Sequence, residues 1–368
     1  MAVLSNSTLA FYAPLKSPEH PVPSGDREMA RNIKTALSMN TLGLKVELVS
    51  ELRCYDGNGS AERQREIRSL ADAEVERLLD TNRQHNWRAW VTYHNYYKAP
   101  DLVGFAVCRQ LQIPYVLIES SIAKSRLTGP WAGFAASADA ATEAADVVFY
   151  LTQRDKVALE KHRSANQRIV HLAPFLNRAG LPPLRAEEGR KNRLLAIGMH
   201  RFGDKLESYR IIADTLQYLE TSDWHLSIIG DGPARPAVEA LFKPFGNRVT
   251  LQGQLDSSGV AEAYRQASVF IWPGVNEAFG MVYLEAQAAG LPLVAEDRPG
   301  VRDVIASPHS LVPAGNPVSM ARAIDSIVSD RVLSREMSLA GRDFIRSHHL
   351  LDTSATVLSD QLAQVVGS

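Results

Sequence analysis

The residues most able to do chemistry stand in one segment, where Glu277 and Glu285 are separated by seven residues. The segment follows an apolar run of strand type and crosses a loop that contains Gly280. It then becomes a helix that begins near Met281 and ends at Gly290. Glu277 is therefore expected in the loop and Glu285 about one turn inside the helix. Carboxylates at the carboxyl end of a strand can accept hydrogen bonds from the vicinal hydroxyls of a ribose or a hexose.

The same loop offers hydrogen-bond donors. The first backbone N–H groups of a helix have no intrahelical partner, so those of Phe279, Gly280 and Met281 are free to point at a ligand. Together with the helix dipole they favour a phosphate, and a glycine lets the backbone approach it closely. The loop is therefore predicted to bind a phosphorylated molecule that also carries hydroxyls.

Two cations follow another apolar strand. Arg201 and Lys205 come after residues 194–198, in a glycine-containing turn that leads into a helix. Cations at this position suit a diphosphate, whose negative charges they can pair with. A solvated Arg/Lys pair at a turn is the alternative. A third strand ends in the tight turn Gly230-Asp231-Gly232, after which Pro233 suits the first turn of a helix.

Short apolar runs rich in β-branched residues alternate with helical patterns along almost the whole chain, with six candidate strands in each half. This alternation predicts parallel sheets with crossover helices. Between the halves, residues 177–192 carry a Pro-Pro pair, several charges and no apolar periodicity, which predicts a linker. We expect an N-terminal Rossmann-like domain over residues 1–180 and a C-terminal Rossmann-like domain over 190–350. A final helix lies in 351–368, for which a return to the first domain is one possibility.

The run Asn-Glu-Ala-Phe-Gly-Met-Val-Tyr-Leu-Glu-Ala-Gln-Ala-Ala-Gly-Leu-Pro, residues 276–292, resembles the Glu-x7-Glu motif of family-4 retaining glycosyltransferases nearly residue for residue. The resemblance is strong over residues 193–305 and diffuse before them. It implies the GT-B fold, an α/β architecture in which two facing Rossmann-like domains with parallel sheets form an interdomain donor cleft. In that fold the domain over residues 1–180 binds the acceptor and the domain over 190–350 binds the nucleotide sugar. It further implies transfer of a hexose-type sugar from a nucleoside-diphosphate sugar, with retention, to a glycan, lipid-linked or small-molecule acceptor. Cell-envelope polysaccharide or glycolipid synthesis is the expected setting.

By this resemblance Glu285 binds the ribose and Glu277 contacts the transferred sugar, while the N–H groups of residues 279–281 bind the sugar and the diphosphate. Arg201 and Lys205 stabilise the leaving group. The leaving phosphate oxygen itself takes the acceptor proton in the mechanism that the family implies. Since no Asp-x-Asp occurs in the chain, a metal bridging the diphosphate is not expected, and no further cofactor is implied.

Also by resemblance, the turn Gly230-Asp231-Gly232 lies near the nucleobase. In the first domain Gly25 falls where the family has a glycine-rich turn that closes on the donor and the acceptor, although the customary pair of glycines is missing. Gly25 is therefore a donor-binding candidate. His94 resembles a strand-end His of the family and is the catalytic candidate of this domain, with a structural role as the alternative. Many members carry a His after the next strand that touches the donor sugar. This chain has Glu119 and Ser120 there, and which of the two replaces it stays open.

Composition limits the remaining function classes. Hydrophobic residues make up 45% and charged residues 22% of the chain, which is typical of a folded domain protein. A net charge of −1 provides no field that would attract nucleic acid. With no secretion signal or long apolar run, a cytoplasmic location is expected. Contact with the inner face of a membrane is left open, because residues 124–134 combine cations with aromatic rings.

Four other functions share some of these sequence features. A nicotinamide or flavin dehydrogenase needs a complete Gly-x-Gly-x-x-Gly after its first strand, which this chain lacks. A glycoside hydrolase also uses two carboxylates, but a pair beside a cationic phosphate site suits nucleotide binding better. A GT-B epimerase or phosphorylase, and a nucleotide-sugar-binding protein without transfer activity, share the expected fold and remain alternatives.

Overall fold

The structure is a computed structural model that describes residues 7–22, 24–184 and 192–367, apart from the side chain of Gln84. The chain forms two compact units, one of Met1–Asn177 with Leu351–Ser368 and the other of Arg178–Leu350. Of the linker predicted over 177–192, residues 185–191 lie outside the described residues, and 177–184 contain no helix or strand.

The first unit contains a six-stranded parallel sheet in the order β2-β1-β3-β4-β5-β6. Its strands are β1 (Thr8–Tyr12), β2 (Lys45–Ser50), β3 (Trp87–Asn95), β4 (Tyr115–Ser120), β5 (Val147–Tyr150) and β6 (Arg168–His171). Its helices are α1 (Gly25–Ser38), α2 (Ala61–His85), α3 (Gly104–Leu111), α4 (Ala132–Ala144) and α5 (Gln153–Lys161). Strands β4 and β5 are buried along their whole length, as expected where helices cover both faces of a parallel sheet.

The second unit repeats this architecture with a parallel sheet in the order β12-β11-β10-β7-β8-β9. Its strands are β7 (Arg193–Ile197), β8 (His225–Ile229), β9 (Val249–Gly253), β10 (Val269–Ile271), β11 (Leu293–Glu296) and β12 (Leu311–Val312). Its helices are α6 (Asp204–Leu216), α7 (Arg235–Phe242), α8 (Ser257–Gln266), α9 (Met281–Ala288), α10 (Pro317–Ser329) and α11 (Arg331–His348). The predicted α/β class with two parallel sheets is confirmed.

The last helix, α12 (Leu351–Val366), is part of the first unit, where it packs against α1. Just after α1, Ser359 Oγ accepts a hydrogen bond from the backbone N–H of Thr41 at 2.9 Å and lies 3.0 Å from its Oγ1. The apolar positions Ala355, Leu358 and Leu362 of α12 are buried. Their three- and four-residue spacing puts them on one face of the helix.

One helix boundary differs from the sequence expectation for a clear reason. The pattern suggests a helix from Pro100, but α3 begins at Gly104. The buried Asp101 carboxylate accepts hydrogen bonds from the backbone N–H groups of Val103 at 3.0 Å and Gly104 at 2.7 Å. These bonds satisfy N–H groups at the start of the helix, as a capping residue does, so the residues before them form a loop.

None of the helices described is long and apolar enough to cross a bilayer. Within the same described ranges, no three His, Cys, Asp or Glu side chains are grouped so that they could hold a metal ion. Cys54 and Cys108 are both buried free thiols.

Candidate active site

The loop between β10 and α9 contains two glycines that pack so closely against Tyr283 that no larger residue fits. Gly280 immediately precedes α9 with φ 81° and ψ 94°, a conformation that favours glycine. A Cβ there would lie 2.7 Å from Cε2 of Tyr283, and one on Gly274 would lie 2.3 Å from the Tyr283 hydroxyl oxygen. That hydroxyl donates to the carbonyl of Trp272 at 3.0 Å. Tyr283 thus fixes both ends of the loop.

The backbone of this loop leaves donors available at the start of α9. In the described part of the chain, no acceptor is paired with the N–H groups of Phe279, Gly280 or Met281. The Phe279 side chain is itself buried and stabilises the loop from beneath. The arrangement is that of a helix N-terminus able to bind an anion, as the sequence suggests.

Glu277, in the loop, is brought next to the predicted cation Lys205 at the start of α6. The Lys205 Nζ forms an ion pair and hydrogen bond with Glu277 Oε1. The same carboxylate oxygen accepts a 3.0 Å hydrogen bond from Nε1 of the fully buried Trp272, and Lys205 Nζ lies 5.3 Å from the Trp272 ring centre. Lys205 and Glu277 therefore share one partner, and both side chains are oriented by it.

Glu285 is held separately, on α9. Its Oε2 accepts a 2.9 Å hydrogen bond from the hydroxyl of Tyr264 on α8, which also lies 3.3 Å from the carbonyl oxygen of Val282. Burial, and after it the Glu285 carboxylate, raise the pKa of Tyr264 well above its usual value. The phenol therefore stays protonated and acts as a donor that orients the carboxylate.

A neighbouring loop, residues 297–303, packs against the backbone that carries Glu277. Gly300 has φ 85°, and a Cβ on it would lie 1.8 Å from the carbonyl oxygen of Ala278. Two ion pairs also involve this loop: Arg302 Nε pairs with Asp297 Oδ1 at 2.8 Å, across Gly300, and Arg298 pairs with Glu296. The close approach of the two loops requires glycine at position 300.

The turn predicted beside a nucleobase, Gly230–Gly232, follows β8 and lies against the loop after β7. A Cβ on Gly230 would lie 1.9 Å from the carbonyl oxygen of Gly198, and one on Gly232 would lie 2.5 Å from that of His200. Asp231 pairs with Arg235 at 3.1 Å, and its pKa is lowered by the N–H of Gly232 and then by Arg235. Both glycines are thus required by packing, which leaves a ligand role for this turn a prediction.

Arg201 is not brought to the Glu277 cluster by any contact in the described residues. It is exposed, and only its backbone makes hydrogen bonds, with Met199 and Leu206. The residue before it, His200, is fully buried, and neither ring nitrogen has a hydrogen-bond partner among the described residues. Burial lowers its pKa, so the ring is neutral. His200 and Trp272 at strand ends and Tyr264 on α8 were not predicted as site residues, because buried aromatic and His residues in apolar segments look like ordinary core residues.

In the first unit, His94 and Glu119 meet at the carboxyl ends of β3 and β4. The His94 Nδ1 and the Glu119 Oε2 are 3.4 Å apart, and neither atom has a well-aligned hydrogen-bond partner among the described residues. Both residues have left-handed backbones, with φ 76° and 61°. Burial lowers the pKa of His94, but the carboxylates of Glu119, Asp26 and Asp155, with Glu119 contributing most, together outweigh it and the net pKa is raised. Strain of this kind in non-glycine residues is concentrated at functional sites.

The two neighbours of this pair differ in what they contact. Ser120 is buried in a hydrogen-bond network. Asn95 Nδ2 lies 2.9 Å from Ser120 Oγ and 3.0 Å from Thr142 Oγ1, and these bonds stabilise the carboxyl ends of β3 and β4. Of the two candidates for the missing His, Glu119 is therefore the one beside His94. Gly25 is the exposed first residue of α1, and a Cβ on it would meet nothing within 4 Å. Its proposed donor contact stays a prediction.

Comparison with known proteins places this geometry in context. Residues 191–330 match the model of the family described as "Glycosyl transferases group 1". A phosphatidyl-myo-inositol mannosyltransferase of Mycobacterium leprae is 37% identical over 99 residues, 26% of each chain. The sulfoquinovosyl transferase SQD2 of Arabidopsis thaliana is 32% identical over 33% of this chain and 23% of its own length. These alignments span about a quarter of the relatives' lengths.

Other similarities extend over most of the chain. A D-inositol 3-phosphate glycosyltransferase of Corynebacterium diphtheriae is 23% identical over 93% of this chain and 87% of its own. The structure of sucrose-phosphate synthase from Thermosynechococcus elongatus matches 98% of this chain and 99% of its own, with a TM-score of 0.74 and 18% identity. Anabaena Alr3699/HepE in complex with UDP and glucose covers 97% and 99%, with a TM-score of 0.70 and 13% identity. The predicted GT-B fold is thereby confirmed.

Proposed function

We propose that the chain is a group 1 glycosyltransferase, whose family model matches residues 191–330. In this proposal it transfers a hexose-type sugar from a nucleoside-diphosphate sugar to an acceptor, with retention. The acceptor is a glycan, a lipid-linked molecule or a small molecule, and cell-envelope polysaccharide or glycolipid synthesis is the proposed setting. The observation that carries this proposal is the Lys205–Glu277–Trp272 contact beside the open N-terminus of α9. It combines a cation, a carboxylate and backbone N–H donors at one end of a parallel sheet.

In this proposal each group has a distinct ligand. Glu285, oriented by Tyr264, accepts hydrogen bonds from the two ribose hydroxyls. The N–H groups of residues 279–281 bind the diphosphate and the sugar, and Glu277 binds a hydroxyl of the transferred sugar. Lys205 turns from its ion pair toward the diphosphate and stabilises the charge that develops as the glycosidic bond breaks.

Arg201 adds a second cation for the leaving group, and its exposed side chain is free of ion pairs in the described residues. The glycines of the 230–232 turn let the nucleobase approach the backbone. In the first unit, His94 is the proposed catalytic residue, and the leaving phosphate oxygen takes the acceptor proton. With cations and N–H groups around the diphosphate, we propose that no metal is needed.

A nucleotide-sugar-binding protein without transfer activity remains a second candidate. The observation that favours it is that Glu119 and Ser120 stand where many family members have a His, and that the buried Ser120 is hydrogen-bonded to Asn95 and Thr142. A binder would hold the donor without cleaving it, so the two functions differ in whether nucleoside diphosphate is released.

A panel of UDP, GDP, ADP and TDP sugars, tested for thermal stabilisation, checks the donor proposal. A ligand at 100 times its dissociation constant stabilises the native state by about 2.7 kcal/mol. We expect one base to raise the melting temperature clearly above the others. If no nucleotide sugar raises it at millimolar concentration, the proposal is wrong.

A further inference from the structure

A second group of side chains lies beyond the carboxyl ends of β3 and β4 and is not used by the functions proposed above. It consists of Tyr97, Lys98, Arg126 and Trp131, here called the Tyr97–Trp131 cluster. The two rings are 5.7 Å apart at 89°. Lys98 Nζ lies 5.8 Å and 5.3 Å from the Tyr97 and Trp131 ring centres, and Arg126 Cζ lies 5.1 Å and 5.7 Å from them. Both cations are thus within cation–π range of both rings.

The charges of this cluster are not balanced by carboxylates. Among the described residues, neither Lys98 nor Arg126 forms an ion pair with an Asp or Glu side chain. Lys124, two residues before Arg126 in the same loop, does form one, with Asp139 at 2.8 Å. Two uncompensated cations against aromatic faces make a site that an anion can complete.

The cluster is held in place by the loops around it. Trp131 Nε1 donates to the carbonyl of Asp56 at 3.0 Å. Gln64 Nε2 donates to Asp56 Oδ2 at 2.8 Å and to the carbonyl of Pro130 at 3.0 Å. A Cβ on Gly59 would lie 2.4 Å from Cβ of Pro130, so the loops pack in direct contact. A ring fixed in this way loses little freedom when a ligand binds.

The cluster also adjoins the His94 site. The ring of His94 lies 4.8 Å from that of Tyr96, which lies 5.5 Å from that of Tyr97. A row of contacting rings therefore leads from the strand-end His to the two cations.

We propose that the Tyr97–Trp131 cluster binds a phosphate ester on the acceptor. Lys98 and Arg126 bind the phosphate oxygens, and a sugar or polyol ring packs on the exposed part of Trp131, with its hydroxyls toward His94. This inference rests on the proposed function, because it names the class of acceptor for that reaction. The phosphate ester is either a soluble sugar phosphate or the headgroup of a phospholipid.

Binding measurements with phosphorylated probes test the proposed phosphate site without a known acceptor. The probes are glucose 6-phosphate with glucose as its uncharged control, and phosphatidylinositol vesicles with phosphatidylcholine vesicles as theirs. The double variant Lys98→Gln/Arg126→Gln removes both charges from the cluster. Lys124→Gln is the matched control, since it removes a paired cation from the same loop.

We expect wild-type protein to bind at least one phosphorylated probe about tenfold or more tightly than its control, and the double variant to lose that preference while Lys124→Gln keeps it. If the double variant loses the preference for glucose 6-phosphate over glucose, the ligand is a soluble ester. If it loses the preference for phosphatidylinositol over phosphatidylcholine vesicles, the ligand is a lipid headgroup. Equal binding of each probe and its control, or a double variant that binds like wild type, overturns the inference. Titration with nucleoside diphosphate on the same samples separates this failure from that of the proposed function, since the cluster lies in the other unit.

Discussion

Charged side chains lie at the strand ends of both units, but those of the second unit have hydrogen-bond partners and those of the first unit are poorly satisfied. In the second unit, Glu277 has two partners, Lys205 and Trp272, and Glu285 is held by Tyr264. In the first unit, His94 and Glu119 face each other with strained backbones and with buried atoms that have no aligned hydrogen bond within the described ranges. The charged side chains of the proposed donor site are thus already oriented by protein partners without a ligand. The first unit instead stores strain and unsatisfied charge that a ligand can relieve.

The largest effect that would sharpen this comparison is expected from Lys205→Ala. Because the ammonium acts on charge that develops in the transition state, turnover should fall by about 100-fold or more while the Michaelis constant for the donor changes less. Steady-state kinetics over a donor series measures both constants. Arg210→Ala, which breaks an exposed ion pair with Glu207 on the same helix, should leave both near wild type. A Lys205→Ala enzyme with normal turnover would mean that the diphosphate is bound elsewhere.

A smaller effect is expected when the ribose contact is removed. Glu285→Gln should weaken free nucleoside diphosphate and nucleotide sugar alike, by about 10- to 150-fold, since a charge-assisted hydrogen bond contributes about 1.5–3 kcal/mol. Tyr264→Phe, which removes only the donor that orients Glu285, should weaken both by less. Isothermal titration with each ligand measures this. Unchanged affinity for the diphosphate would refute the ribose assignment.

The loop contact at Gly300 gives a smaller effect, on stability. A methyl group there must displace the backbone of Ala278, so Gly300→Ala should destabilise the protein by about 1–3 kcal/mol and lower donor affinity. Gly315→Ala is the matched control, since Gly315 has a similar φ of +71° but open space around its Cβ position. Chemical unfolding compares the two. Equal losses would show that only backbone strain matters, and that the Gly300 contact does not support the Glu277 loop.

The smallest expected effect concerns pH and the first unit. The folded pKa of His94 is raised, so its protonation stabilises the fold fully below its unfolded pKa of about 6.5, and this contribution is lost as pH rises through the folded pKa. Asn tolerates a positive φ, so His94→Asn adds little backbone strain of its own. This substitution should therefore cost more stability near pH 5.5 than near pH 8.5. Glu119→Gln should remove most of that difference. A pH-independent cost would show that Glu119, with Asp26 and Asp155, does not control the charge of His94.

Much of the fold could be predicted from the sequence because strands β2 and β11 and helices α10 and α12 have strong patterns between clear turn residues. The start of α3 could not, since the buried Asp101 acts through a hydrogen-bond network formed only in the folded chain. The pairing of Glu277 with Lys205 illustrates the same limit. Each residue stands out in its own motif, but 72 positions separate them, and only the sheet order brings β7 beside β10.

The most direct test of the central claim, that the second unit binds and activates a nucleotide sugar, is the release of nucleoside diphosphate from a panel of nucleotide sugars in excess chelator. We expect slow release from one donor by wild-type protein, and a rate lower by about 100-fold or more in Lys205→Ala with the fold intact. Release that requires magnesium or manganese would contradict the metal-free site. No release from any donor that binds would contradict transfer itself and leave a binding protein.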